Sequence, residues 1–405
     1  MNNIGMRTSP AVCLVIPTIP PEFSGGGILA YNLASYFAGN HSGVVLIVTQ
    51  TAPPKLLDGA EIISYPDPPL PISRKGRKLL GLAKALPSAI KVLSQKRPHI
   101  VHVMGASSWV LSYVLAARVL GIPVVLETST TGGDDPNTVK HSRFGTVKFA
   151  VIQEVSYLVN VSPILDSLAR RAGISSEKRI IIPNQVDIDL FRPDPCPERL
   201  RLSLGLQRFE TILLNVAIIR PNKGIQFLIE EFATFSRDDQ SLGLVLVGPT
   251  TKDPENTKYT ERMKTLARDL GVADRVIFTG HIENVHEYMG AADIFVFASE
   301  MEGFGTVVVE AMASELPVLT KRINGVSDFI IEDGVDGLVA DSSNDYRSKL
   351  AQLLESPKLR KRLGKAARRT VELRFSTKVI ARQYVEVYSK LVPEQSTAFR
   401  ALLSD

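Results

Sequence analysis

The sequence predicts an α/β protein with two doubly wound parallel sheets, one in each half of the chain. Short apolar runs alternate with segments of helical periodicity in both halves, which is the pattern of parallel strands connected by helices. At 405 residues the chain exceeds the size at which one hydrophobic core usually suffices, so we expect two domains. A Pro-rich polar stretch over residues 192–197 is the predicted linker between them.

The composition is that of an ordinary globular protein, with 44% hydrophobic and 22% charged residues. The formal net charge of +5 permits binding of phosphate-bearing ligands or of an anionic membrane, and requires neither. No apolar run is long enough to cross a bilayer and the N-terminus does not resemble a signal peptide, which predicts a cytoplasmic protein. Cys13 and Cys196 are expected to be free thiols, and the Cys and His spacings predict no metal site.

The most informative stretch is Ala298–Ala313, in which Glu302 and Glu310 are separated by seven residues. The apolar run over 292–298 predicts a buried parallel strand. The run over 306–314 lacks Gly and Pro and predicts a helix. The glutamates therefore belong to a strand–turn–helix junction, although two solvated glutamates around an ordinary turn would give the same pattern.

A junction of this kind suits a nucleotide-sugar. Gly303 and Gly305 would let the backbone approach a ligand closely. The amides of Thr306 and Val307, at the helix start, would favour a diphosphate. Glu310 lies one turn into the helix, where its carboxylate would accept hydrogen bonds from the ribose diol.

The Glu-x7-Glu spacing with Gly-Phe-Gly inside it resembles the signature of the retaining GT-B glycosyltransferases, a large family that includes sucrose-phosphate synthases and bacterial phosphatidylinositol mannosyltransferases. The resemblance implies a GT-B fold, in which two Rossmann-like domains face a central cleft. It implies transfer of a hexosyl unit from a UDP-, GDP- or ADP-sugar to an acceptor hydroxyl, with retained configuration and with no metal or other cofactor. Glu302 would position the donor hexose, and Phe304 would belong to the donor site.

The resemblance covers nearly the whole chain and divides it into three parts. Residues 1–192 would bind the acceptor, residues 193–373 would bind the nucleotide-sugar, and residues 374–405 would form a helix that crosses back to the first domain. The segment Pro183–Asp187 resembles the interdomain element of the family, in which a glycine stands where this chain has Gln185.

The loop from Arg220 to Gly224 would supply the cations that a departing diphosphate needs. Negative charge grows on the leaving oxygen as the glycosidic bond breaks, so a fixed cation stabilises the transition state. The resemblance matches Lys223 with the lysine of the family, whereas the family arginine falls on Ile218 and Arg220 is the predicted substitute. The alternative is that both side chains are solvated loop residues.

Three further donor contacts are predicted outside this junction. Residues 17–27 are expected to form a loop before a helix over 28–37, and the resemblance places Gly26 and Gly27 of this loop at the donor phosphates. His281 lies in a segment that reads the nucleotide base in the family, or it is a surface residue.

The acceptor side is predicted at the C-terminal ends of strands in the first half, where ligands bind in open α/β sheets. His102 and Glu127 lie in two of these strands. Asp134 and Asp135 follow in the next loop and would bind acceptor hydroxyls, or act as turn residues. His102 could equally be structural, and Met104 stands where the family has a second histidine.

Residues 74–97 carry eight basic residues and no acidic one, interleaved with leucines. Such a segment would dock on an anionic membrane, or it would pack as a surface helix with its lysines in water. The resemblance favours docking, because many members of the family place a basic face of this domain on lipid. Pro87 is predicted to divide the segment into two helices.

Together these observations predict a hexosyltransferase of polysaccharide or glycolipid synthesis, with a glycan, lipid-linked or small-molecule acceptor and no nucleic-acid partner. The enzyme would be cytoplasmic, or peripheral on the inner face of the membrane. Two alternatives stay open. One is a non-catalytic scaffold of this fold that binds nucleotide-sugar or lipid, and the other is a nucleotide-sugar 2-epimerase. Met104, Gln185 and Ile218 stand where the family has other residues, and these departures are the reason for retaining the non-catalytic scaffold as an alternative.

Overall fold

The structure is a computed structural model, and it describes residues 11–19, 25–39, 45–50, 57, 59–64, 77–237, 239–251 and 253–403. Within these ranges the side chains of residues 77–81 are not described. The chain forms two compact units. The first comprises the described residues up to Gln185 and those from Thr377 onward, and the second comprises Val186–Ser376.

The first unit contains a seven-stranded parallel sheet in the order β3-β2-β1-β4-β5-β6-β7. Its strands are β1 (Val12–Ile16), β2 (Val45–Thr49), β3 (Ala60–Ser64), β4 (Ile100–Met104), β5 (Val124–Thr128), β6 (Tyr157–Asn160) and β7 (Arg179–Ile181). All residues of β1 and β2 are buried, as expected for parallel strands covered on both faces.

Helices connect these strands. They are α1 (Gly25–Ala38), α2 (Arg77–Lys96), α3 (Ser108–Val119), α4 (Pro136–His141), α5 (Gly145–Gln153) and α6 (Pro163–Ala172). The loop before α1 was predicted to extend to Gly27. This C-terminal end was wrong, because Gly25–Gly27 form the first turn of α1. The first amides of a helix have no intrahelical acceptor, so glycines cost less there than in a helix interior.

Helix α2 continues through Pro87, so the predicted division into two helices was wrong. Ala89, Val92 and Leu93 of this helix are buried in the core beneath it. This packing on the sheet and on α3 holds the helix together although a proline removes one backbone hydrogen bond.

The second unit contains a six-stranded parallel sheet in the order β10-β9-β8-β11-β12-β13. Its strands are β8 (Thr211–Val216), β9 (Leu242–Val247), β10 (Val276–Gly280), β11 (Ile294–Phe297), β12 (Val318–Lys321) and β13 (Leu338–Ala340). Its helices are α7 (Pro197–Ser203), α8 (Ile225–Ser236), α9 (Pro254–Asp269), α10 (Val285–Ala291), α11 (Thr306–Ala313), α12 (Ser327–Ile330), α13 (Ser343–Glu355) and α14 (Pro357–Arg374).

The chain then returns to the first unit with α15 (Thr377–Leu391) and α16 (Ser396–Arg400). Ile380, Tyr384 and Tyr388 of α15 belong to the same hydrophobic core as β1 and α1. The predicted class, two parallel doubly wound sheets, is confirmed. The assignment of acceptor and donor to residues 1–192 and 193–373 stays a prediction.

Candidate active site

The second sheet changes its direction of winding between β8 and β11, which are neighbours in space but not in sequence. Ligands of open α/β sheets bind outside the C-terminal ends of the strands at such a point. The loop with Arg220 and Lys223 follows β8, and the turn with Glu302 follows β11. The sheet topology therefore brings together the two motifs that the sequence predicted for the donor diphosphate and hexose.

Backbone contacts hold these two loops side by side. The carbonyl oxygen of Asn222 accepts hydrogen bonds from the Glu300 amide at 3.0 Å and from the Ser299 hydroxyl at 3.1 Å. A Cβ atom at Gly224 would lie 2.1 Å from the carbonyl oxygen of Ala298. The two loops can therefore approach this closely only with glycine at position 224.

Lys223 and Glu302 form an ion pair at this junction, with Nζ 2.5 Å from Oε1. Their side chains are 13% and 14% exposed, so water screens the pair less than it would at an open surface. The junction therefore presents a lysine cation and a carboxylate side by side at the end of the sheet. A bound anion would compete with Glu302 for the ammonium group.

Arg220 precedes the same turn and is half-buried. Its Nε atom is buried and has no hydrogen-bond partner within the described part of the chain. Buried guanidinium donors normally have acceptors, so the unsatisfied Nε makes Arg220 a candidate for binding an acceptor from outside the protein. An oxyanion fits the fork of a guanidinium group best.

The turn Gly303–Gly305 is buried, and α11 begins directly after it. Gly305 has a φ of 88°, a left-handed conformation that glycine adopts without strain. Phe304 is 2% exposed, and its ring packs edge-to-face on Phe375 with 5.9 Å between the centroids. The Phe304 side chain thus anchors the turn in the core, which leaves its backbone as the part that could contact a donor.

Thr306 and Val307 form the start of α11 and are half-buried, and Glu310 follows one turn later. The Glu310 carboxylate is half-buried and has no hydrogen-bond or ion-pair partner among the residues that the structure describes. Burial raises the pKa of Glu310 to about 7. The ionised carboxylate can accept two hydrogen bonds from a diol.

His102 and Glu127 lie on neighbouring strands of the first unit. His102 is fully buried, and its Nδ1 atom is 2.8 Å from the hydroxyl of Tyr388. Its Nε2 atom has no hydrogen-bond partner in the described residues and is 3.8 Å from Oε2 of Glu127. Burial lowers the pKa of His102 to about 3, so the imidazole is neutral at pH 7.

Glu127 is the residue of this pair that reaches solvent, with its side chain 12% exposed. The hydroxyl of Tyr384 donates a hydrogen bond to Oε2 of Glu127. Burial raises the pKa of Glu127 to about 7, the Tyr384 hydrogen bond opposes this rise, and the charge of Asp134 adds to it.

Asp134 and Asp135 organise the loop after β5. The two carboxylate oxygens of Asp135 accept hydrogen bonds from the amides of Thr138 and Gly132, both at 2.8 Å, and the first of these caps α4. Asp134 accepts hydrogen bonds from the amides of Ser129 and Thr130, and burial raises its pKa to about 6. Both residues have the turn function that the sequence offered as one alternative, and an acceptor role stays a prediction.

The remaining predicted donor contacts, Gly26, Gly27 and His281, lie at the ends of a helix and a strand. Gly26 and Gly27 belong to the first turn of α1, where a Cβ atom on Gly26 would be 3.9 Å from the Ser129 hydroxyl. Gln185, which stands where the family has glycine, is buried and donates a hydrogen bond to the carbonyl oxygen of Leu29 at 2.5 Å. His281 is exposed directly after β10.

The basic segment is only partly described. Arg74 and Lys75 lie outside the described residues, whereas Lys84 and Lys91 of α2 are exposed and Lys96 pairs with Glu61. The described side chains of Leu86, Val92 and Leu93 in α2 pack into or against the core, so they are not available to a membrane. Within the described ranges, we find neither a helix suited to spanning a bilayer nor a cluster of three or more His, Cys, Asp or Glu residues suited to a metal ion.

Comparison with known families decides the class of protein. Residues 198–370 match the family model of the Glycosyl transferases group 1, and residues 23–190 match that of Glycosyltransferase Family 4. The chain is a glycosyltransferase, and its second half matches the group 1 family. This glycosyltransferase is 28% identical over 309 residues to N-acetyl-alpha-D-glucosaminyl L-malate synthase of Bacillus anthracis, across 74% of this chain and 76% of the relative.

Solved structures confirm the GT-B fold class of this glycosyltransferase. The complex of Anabaena Alr3699/HepE with UDP and glucose superposes with a TM-score of 0.75 at 19% identity, over 94% of this chain and 99% of that one. Sucrose-phosphate synthase from Thermosynechococcus elongatus superposes with a TM-score of 0.75 at 21% identity, over 96% and 100% of the two chains.

Sequence reasoning missed three side chains that shape the candidate site of the glycosyltransferase. Ser299 bonds together the two loops of the predicted donor site, and Tyr384 and Tyr388 of α15 contact the predicted acceptor-side residues. The tyrosines follow Glu127 by more than 250 residues, and no local pattern links positions so far apart. Ser299 had a weak signal, since a serine at the end of a buried strand commonly bonds backbone groups.

Proposed function

We propose that this protein is a retaining, metal-independent glycosyltransferase that moves a hexosyl unit from a nucleoside-diphosphate sugar to an acceptor hydroxyl. The observation that carries the proposal is the junction of Lys223 with Glu302 at the switch point of the second sheet, next to the start of α11. This junction combines the Lys223 cation, one unsatisfied donor on Arg220 and the Glu302 carboxylate in a chain that matches glycosyltransferase families.

Each group has a separate role in this proposal. Lys223 and Arg220 bind the diphosphate and stabilise the charge that develops as it leaves. The backbone of Gly303–Gly305, with the start of α11 at Thr306 and Val307, contacts the same phosphates. Glu310 accepts hydrogen bonds from the ribose, and Glu302 orients the hexose.

The acceptor hydroxyl attacks from the face on which the diphosphate departs, which preserves the anomeric configuration. The two cationic side chains take the place that a divalent metal has in other phosphate chemistry. The acceptor is a glycan, a lipid-linked sugar or a small hydroxyl compound, bound in the first unit.

A donor screen tests the proposal. The purified full-length chain is incubated with UDP-, GDP- and ADP-glucose in the presence and absence of EDTA, and sugar release and transfer are followed by proton NMR. We expect turnover of at least one donor, an α-configured product from an α-configured donor, and no loss of rate with EDTA. A product of inverted configuration, or failure to bind any of the donors by calorimetry, would contradict the proposal.

The affinity for UDP-glucose is expected to depend on pH through Glu310. A diol donates hydrogen bonds to the ionised carboxylate, and this form disappears as the pH falls through the Glu310 pKa of about 7. The dissociation constant should therefore rise about tenfold between pH 8 and pH 6, because the ionised fraction falls by that factor. UDP-glucose suits this measurement by calorimetry because its diphosphate does not titrate in this range.

Glu310→Gln is the matched control for this pH dependence. The variant should bind UDP-glucose more weakly than the wild type at pH 8, with an affinity that stays constant between pH 6 and pH 8. An unchanged pH dependence in the variant would assign the titration to another group and remove the ribose role of Glu310.

We also propose that α2 holds the enzyme at an anionic membrane by charge alone. The exposed Lys84 and Lys91 support this, and the described side chains of Leu86, Val92 and Leu93 pack on the core instead of facing lipid. Lys84→Glu combined with Lys91→Glu should weaken binding to phosphatidylglycerol vesicles by a factor on the order of 30 or more in a sedimentation assay. Lys361→Glu with Lys365→Glu on α14 makes the same change in net charge, and equal weakening by both pairs would refute a specific role for α2.

A further inference from the structure

The acceptor side of the first unit has four candidate residues, and the structure separates them. Both carboxylate oxygens of Asp135 accept backbone amides, and Asp134 closes the loop after β5 through the amides of Ser129 and Thr130. His102 is fully buried. Glu127 is therefore the candidate with a free hydrogen-bond acceptor, because its Oε1 atom has no partner among the described residues.

The other oxygen of Glu127 is held from α15. The Tyr384 hydroxyl donates to Oε2, and Tyr384 itself is 2% exposed in the core of the first unit. His102 lies 3.8 Å from the same oxygen, which is too far for a hydrogen bond. Within the described chain, Tyr384 is thus the one side chain that donates a hydrogen bond to this carboxylate.

Tyr388 lies one turn further along α15 and has a different partner. Its hydroxyl contacts Nδ1 of His102 and makes no hydrogen bond to Glu127. The centroid of the His102 ring lies 5.0 Å from that of Tyr384 and 6.0 Å from that of Tyr388, so these three side chains pack against one another next to the carboxylate. The two tyrosines are therefore a matched pair on one helix, with only one of them bonded to Glu127.

We infer that Tyr384 is a positioning residue of the transfer reaction, which fixes Glu127 so that its Oε1 atom accepts a hydrogen bond from the acceptor hydroxyl. This inference rests on the proposed function and deepens it, because it selects the acceptor-side group and assigns a role to the C-terminal helix. One carboxylate oxygen is bonded inside the protein, and the other is thereby directed outward as an acceptor.

The same geometry makes acceptor binding sensitive to pH. Because Oε2 accepts the Tyr384 hydroxyl, a proton taken up by the carboxyl group resides on Oε1 and converts it from an acceptor into a donor. Four groups lie near Glu127. The charge of Asp134 favours this protonation, the hydrogen bond from the Tyr384 hydroxyl opposes it, and His102 and the Tyr388 hydroxyl are neutral. Removing the Tyr384 hydroxyl should therefore move the titration of Glu127 to higher pH.

The test compares Tyr384→Phe with Tyr388→Phe in the full-length protein. The chain is labelled with glutamate carrying 13C at the carboxyl carbon, and Glu127→Gln identifies the Glu127 resonance by its absence. We expect the titration midpoint of Glu127 to rise by about one pH unit in Tyr384→Phe, as loss of one hydrogen bond to a carboxylate would cause, and to stay constant in Tyr388→Phe. Equal midpoints in the two variants would overturn the inference.

Kinetics with glycerol as a hydroxyl acceptor and UDP-glucose as donor supply the functional readout. Tyr384→Phe should raise the KM for glycerol about fivefold at pH 7 and recover most of the loss at pH 9. A glycerol KM that is unaffected by Glu127→Gln would also overturn the inference. Failure of the wild type to turn over or bind any nucleotide-sugar would instead contradict the proposed function, while the NMR midpoints would still report whether Tyr384 positions Glu127.

Discussion

Lys223→Ala should lower kcat for sugar transfer by about 100-fold, which is the usual effect of losing one group that stabilises a transition-state charge. The lysine is held at the end of β8 by the contacts of Asn222 and by its ion pair with Glu302, so its ammonium group is placed before a donor arrives. Such a fixed charge requires little reorganisation when the leaving diphosphate becomes more negative. The effect should therefore fall mainly on kcat and less on the KM for the donor.

Lys258→Ala is the control for this experiment. Lys258 also forms an ion pair with a glutamate in the second unit, but its side chain is 72% exposed and lies on α9. Its loss should leave kcat within a factor of two, because exposed ion pairs contribute little. A reduction of less than threefold in Lys223→Ala would show that the lysine does not act on the leaving group.

Gly224→Ala should destabilise the second unit strongly, because it combines backbone strain with a steric overlap. The φ of 69° costs about 1 kcal/mol for an alanine, and the added Cβ would lie 2.1 Å from the carbonyl oxygen of Ala298. The backbone must shift to relieve this overlap, and this shift breaks the contacts of Asn222 and separates Lys223 from Glu302. We expect a decrease in Tm of roughly 10 °C together with a loss of transfer activity, because overlaps that displace backbone cost several kcal/mol.

Gly271→Ala separates the steric overlap from the backbone strain. Gly271 has a φ of 71° in the same unit, and no heavy atom lies within 4 Å of the position of its Cβ. This variant introduces the backbone strain without the steric overlap, so its Tm should decrease by about 3 °C and its activity should be retained. Similar decreases for both variants, measured by scanning calorimetry, would disprove the close contact at Ala298.

The sequence predicted the junction around Glu302 well because the information for it is local. A buried strand, a glycine turn and a helix without Gly or Pro are read from consecutive residues, and the structure confirms α11 from Thr306 to Ala313. The neighbouring position of the Lys223 loop followed from topology, since in a doubly wound sheet the first strand of the unit lies beside the fourth.

Other features depend on contacts that no sequence window contains. The hydrogen bond between Tyr384 and Glu127 joins the last long helix to the fifth strand, and the amphipathic pattern of α15 indicates only which face is buried. Helix α5 was not predicted, because its apolar residues are spread around the helix instead of along one face. Helix α2 is not divided at Pro87, because packing on α3 and the core compensates for one missing hydrogen bond.

The path of the chain through the two units has a practical consequence for recombination. Residues Val186–Ser376 are one uninterrupted stretch, and its first and last residues are joined as an isolated parallel bridge. A stretch whose ends are adjacent can be exchanged between relatives as a cassette, with both splice points at a single place in the fold. If the second unit binds the donor and the first unit binds the acceptor, as proposed, chimaeras joined at these two positions would combine the donor preference of one enzyme with the acceptor preference of another. The first unit would keep both α15 and Tyr384.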